Sequence, residues 1–73
     1  MRRNLKDARK RLGLSANDMA TKLHVSRRYY QAIEQGTRTG DYSIWDVLED
    51  ITGTHQRLLR LNEDTHLAQE ENQ

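Results

Sequence analysis

The run Arg27-Arg28-Tyr29-Tyr30-Gln31-Ala32 holds the side chains best suited to reading another molecule. A guanidinium is a planar fork of donors that pairs with the two acceptors on a guanine edge. A glutamine amide matches adenine in the same way, and an alanine leaves room and can meet a thymine methyl. On a helix turning about 100° per residue, with Arg27 at zero, Tyr30 falls near 300° and Ile33 near 240° and they share one side. Gln31 (about 40°), Gln35 (about 80°), Arg28 (about 100°) and Ala32 (about 140°) occupy the other. Arg27 sits at the tip, where its side chain swings toward either a phosphate or a base edge. Tyr29, at about 200°, lies on the boundary between core and surface.

Other chemistries find little support. The chain has no Cys, which removes disulfides and thiolate metal sites and favours a reducing compartment. His24, His55 and His66 lack metal-ligand spacing, and no Ser, His and acid arrangement suggests nucleophilic catalysis. In 73 residues there is room for one small domain and little for a substrate pocket. No apolar run approaches the roughly 20 residues of a membrane span. The expectation is a soluble, cytoplasmic, non-enzymatic protein with no cofactor, no metal, no membrane contact and no evident small-molecule ligand.

Charge is divided along the chain. Residues 1–40 hold ten Lys/Arg against three Asp/Glu, whereas residues 41–73 hold two against eight. A basic half of this kind suits a module that meets a polyanion with one side. The basic start MRRNLKDARKR reads as an arm touching phosphate, with a solvated helix face as the alternative.

The elements that must position these residues are helices. Leu5, Ala8 and Leu12 recur at helical spacing before Gly13, which predicts a first helix over about residues 3–12. Ser15 heads a capping box with Asp18, and Leu14 is placed to staple onto Met19, opening a second helix over 16–23 with Met19, Ala20 and Leu23 inward. Ser26 caps a third helix that runs to Gln35 and stops at Gly36. Two short helices joined by so brief a turn form a helix-turn-helix. Asp41 or Ser43 caps a fourth, with Ile44, Trp45, Leu48 and Ile51 inward and an end near Gly53. Thr54 caps a fifth carrying Leu58, Leu59 and Leu61, two of which should complete the core. Residues 62–73 read as an acidic, polar C-terminal tail, frayed or disordered, after a domain spanning 1–61.

With these residues in place, the chain from Leu5 to about Leu61 resembles the lambda-repressor-like, XRE-type DNA-binding domain, an all-α, compact five-helix fold. LSANDMATKLHVSRRYYQAIEQG matches that family's helix-turn-helix without a gap, through Gly13-Leu14-Ser15, Ala20, Leu23, Val25, Ser26, Ile33, Glu34 and Gly36. The resemblance implies base-reading positions at Arg27, Arg28 and Ala32, a backbone contact at Ser26, and a phosphate-gripping loop over Thr37, Arg38 and Thr39. Gln31 joins the base-reading set from its outward position, and Asn17 and Tyr29 join the phosphate set. The resemblance also implies a structural ion pair between Arg9 and Glu34. Three features depart from the pattern: Ala16 where the family usually has Gln, which Asn17 replaces only in part; His24 where it usually has Gly; and a loop before helix four that lacks Pro and carries an extra residue. The family's C-terminal helix often supplies a two-fold contact, which here points to Leu58 and Leu61 and a weak homodimer.

The expected function is a sequence-specific transcriptional regulator, a repressor of the phage or Cro-like kind, binding double-stranded DNA at a two-fold operator. The rivals are an antitoxin whose acidic half, residues 41–73, binds a basic protein partner, and an interaction module that has lost DNA binding.

Overall fold

The computed structural model describes residues 1–62. The chain forms α1 (Arg3–Arg11), α2 (Ala16–Leu23), α3 (Arg27–Gln35), α4 (Tyr42–Thr52) and α5 (Gln56–Leu59). Among the described residues it is an all-α, five-helix fold in which α2 and α3 make the helix-turn-helix. The residues assigned above to the acidic tail lie, from Glu63 onward, outside the described residues.

Local chemistry sets the boundaries. The Ser15 hydroxyl accepts from the Asp18 amide and the Asp18 carboxylate accepts from the Ser15 amide, both at 3.0 Å, so two donors with no intrahelical acceptor are satisfied. Ser26 caps α3 by accepting from the Tyr29 amide at 3.1 Å, and Asp41 caps α4 by accepting from the Ile44 amide at 3.1 Å. Helices α1, α2 and α3 end alike. In each, a residue with positive φ (Gly13, His24, Gly36) is followed by one whose amide reaches back five residues, to Arg9, Ala20 and Ala32 respectively. This is the Schellman closure, and it needs the left-handed region. His24 enters it at φ 60° and ψ 40°, where a Cβ is disfavoured but His is tolerated.

The core lies between the helix pair and the remaining three helices, around Leu5, Met19, Tyr30, Ile33, Trp45, Leu48 and Leu59, all essentially inaccessible. Ala20 is also buried, and its small side chain lets α2 pack closely on α3. Leu14 and Ile51 are partly buried against this cluster.

Three expectations need correction. Leu12 is 47% exposed: it is the residue after α1, and the turn through Gly13 swings it outward while Leu14 takes the inner place. The cap of α5 is His55, not Thr54. The Thr54 amide donates to the Thr52 hydroxyl, and the His55 Nδ1 accepts from the Arg57 amide at 3.0 Å. Of the three leucines expected to divide two to one in favour of the core, only Leu59 is buried, since a helix of one turn offers the core a single position. Leu58 and Leu61 remain 44% and 47% exposed.

Candidate nucleic-acid interface

The outward side of α3 is built from its first two turns. Arg27, Arg28 and Gln31 are exposed, Ala32 and Tyr29 are half-buried, and Tyr30 and Ile33 face the core. The Ser26 oxygen is engaged as an acceptor by the Tyr29 amide, which leaves its hydroxyl proton available to donate outward. On the neighbouring helix, Asn17 is exposed.

The loop after α3 folds back onto the same side. The guanidinium of Arg38 lies over the Tyr29 ring at 5.9 Å from its centroid, a cation–π contact that draws the loop toward α3. Ser26, Arg28, Tyr29, Ala32 and Arg38 together line one cleft of about 340 Å³. Thr37 and Thr39 are exposed beside it but differ in their commitments. Both donors of Thr37 point at the Ala32 carbonyl, the amide at 3.0 Å and the hydroxyl at 3.3 Å. The Thr39 carbonyl accepts from Trp45 Nε1 at 2.7 Å, and its hydroxyl has no intramolecular partner among the described residues.

Two of the three acids in the basic half are already engaged. Glu34 is buried and accepts from Arg9 Nε at 2.8 Å, Arg9 Nη2 at 3.2 Å and the Tyr30 hydroxyl at 2.8 Å. Arg9 also donates to the Leu14 carbonyl at 2.8 Å, so the pair ties α1, α3 and the start of the α2 turn together. The bond to Glu34 raises the pKa of Arg9, and burial, then the Glu34 charge, pushes the Tyr30 phenol up, so both stay protonated. Asp18 is held below the usual carboxylate range, chiefly by the Ser15 amide. Arg27, Arg28 and Arg38 are the exposed cations of α3 and of the loop that follows it.

The N-terminal segment is not an arm. Arg2 is buried at 6% exposure and turns inward, with burial and then Arg60 lowering its pKa. It stands three residues before Leu5 and seven before Arg9, on the same helical face, and that spacing is the signal by which it could have been found. Leu58 and Leu61 lie at the α5 end of the molecule. Among the described residues no helix is long and apolar enough to cross a membrane.

Comparison with known proteins agrees with this geometry. The family model described as "Helix-turn-helix domain" matches residues 1–61, and the chain belongs to that family, a class of DNA-binding regulatory domains. It is 48% identical over 50 residues to a putative HTH-type transcriptional regulatory protein of Archaeoglobus fulgidus; the match covers 68% of this chain and 16% of that protein. No solved structure matches.

Proposed function

We propose that this domain is a sequence-specific DNA-binding transcriptional regulator, a repressor that acts at a two-fold operator. The start of α3 enters the major groove, where Arg28 and Gln31 pair with base edges, Arg27 reaches a base or phosphate, and Ala32 meets a methyl group. Asn17, Ser26, Tyr29, Thr37, Arg38 and Thr39 flank it on the phosphates. The observation that carries this reading is the shared cleft, which brings base-facing Arg28 and Ala32 together with the loop cation Arg38 at the start of the second helix of a helix-turn-helix. Phosphate contacts fix register and base contacts supply sequence preference, so both sets are needed on one face. Leu58 and Leu61 of two copies meet across the two-fold axis and space the recognition helices for successive major grooves.

Selection of bound sequences from a random duplex pool, followed by titration of Arg28→Ala, tests the reading. The pool should yield a palindromic consensus bound with a steep salt dependence. The variant should lose about 1–3 kcal/mol on that site and relax preference at one position of each half-site. Equal loss on specific and random DNA would assign Arg28 to phosphate, and a salt slope near zero would end the DNA reading.

A further inference from the structure

The backbone of the loop after α3 is held from inside at three places. The Gly36 carbonyl accepts from the Asn62 amide group at 3.1 Å, the Arg38 carbonyl from Arg2 Nη1 at 2.9 Å, and the Thr39 carbonyl from Trp45 Nε1 at 2.7 Å. Arg2 is the centre of this arrangement. Its own amide donates to the Glu34 carbonyl at 2.7 Å, fixing it against the last turn of α3. Its guanidinium donates to the Ile33 carbonyl at 2.5 Å and, through Nε, to the Arg60 carbonyl at 3.1 Å, with Cζ 5.3 Å from the Trp45 ring centroid.

We propose that Arg2 is a positioning residue for the DNA-facing loop: it locks the Arg38 backbone and the end of α5 to the last turn of α3, so that phosphate contacts of residues 37–39 are set before DNA arrives. The proposal rests on the DNA-binding reading above. Only a guanidinium fits the task, because its planar fork directs several donors at carbonyls on separate segments, whereas a lysine ammonium concentrates its donors on one atom. No carboxylate pairs with Arg2 among the described residues, so these carbonyls carry its solvation, and the loop cannot drift without stranding a buried cation. The brace acts on the Arg38 backbone while Tyr29 holds the Arg38 side chain, leaving that residue little freedom to lose on binding.

Two measurements on the full chain test this, using Arg2→Gln and Arg2→Lys. The first is amide hydrogen exchange in the free protein. The Thr37 and Arg38 amides, both bonded to the Ala32 carbonyl, should exchange about tenfold faster relative to the Met19 amide in α2, which reports on the rest of the fold. The second is a DNA-binding cycle on the selected duplex. The Arg2 change should weaken binding several-fold in the parent but by less than about twofold when Arg38 is already Ala, and it should add independently to Arg28→Ala. Proportional acceleration at Thr37, Arg38 and Met19 would overturn the proposal, as would additivity of the Arg2 and Arg38 changes. Loss of the fold in both variants would do the same, by making Arg2 a general core residue. Absence of salt-dependent DNA binding by the parent chain would instead defeat the DNA reading, and the exchange result would still decide whether Arg2 holds the loop.

Discussion

Replacement of Glu34 by Gln, a side chain of almost the same size and shape, should nearly abolish the folded state. The carboxylate accepts three hydrogen bonds, two from Arg9 and one from Tyr30, and the two charged side chains are 10% and 9% exposed. A Gln amide keeps one accepting oxygen and turns an NH2 group toward donors, so Arg9 is left as a buried cation without its counter-charge. Removing one partner of a buried pair typically costs about 3–5 kcal/mol, most of it the penalty on the survivor. A domain of this size has total stability on the order of 5 kcal/mol, so the loss is comparable with all of it. Urea unfolding followed by circular dichroism should show the midpoint collapsing toward zero denaturant. The companion measurement is a cycle with Arg9→Met. Once Arg9 is gone the Glu34 change should become much cheaper, giving a coupling of roughly 2–3 kcal/mol. A Glu34→Gln cost under about 1 kcal/mol, with a cycle that closes near zero, would refute the claim that this pair ties α1 to α3.

Three further outcomes follow from the geometry. His24→Gly should raise stability by roughly 0.5–1 kcal/mol, since release from the left-handed conformation outweighs the added entropy of the unfolded chain; a lower urea midpoint at unchanged slope would show that the imidazole makes a stabilising contact. Asp41 has its pKa lowered from 3.8, first by the Ser43 hydroxyl and then by the Ile44 amide, so its contribution is complete above about pH 4 and is lost as pH falls through the lower folded value. Asp41→Asn, which keeps the cap, should therefore flatten stability against pH in that acid range and leave neutral pH little changed. Leu61→Glu should leave the monomer folded, because the side chain is 47% exposed, and should weaken binding to a full operator far more than to a half-site. Undiminished full-site affinity would exclude this end of the molecule as the two-fold contact.

The local features of this protein were written in the sequence because their physics is local. Ser15 and Asp18 satisfy each other across three residues, Ser26 caps the helix it begins, and the positive φ at residues 13, 24 and 36 follows from the need to close a helix within five residues. The outward side of α3 was equally legible, since steps of about 100° separate Arg28 and Gln31 from Tyr30 and Ile33 whatever the helix packs against. Tertiary structure decided what depends on segments far apart in the chain. In the sequence Arg2 reads as part of a basic arm touching phosphate, yet it lies buried because residues 33, 38 and 60 bring their carbonyls to one point. The choice of Leu59 over Leu58 and Leu61 depended on α5 being a single turn, docked against α1 and α4. Sequence periodicity names the faces of a helix, but which chain segment covers each face is decided by long-range burial. In a domain this small, Arg2 is drawn inward while Arg3, Lys10 and Arg11 of the same basic segment stay exposed on α1.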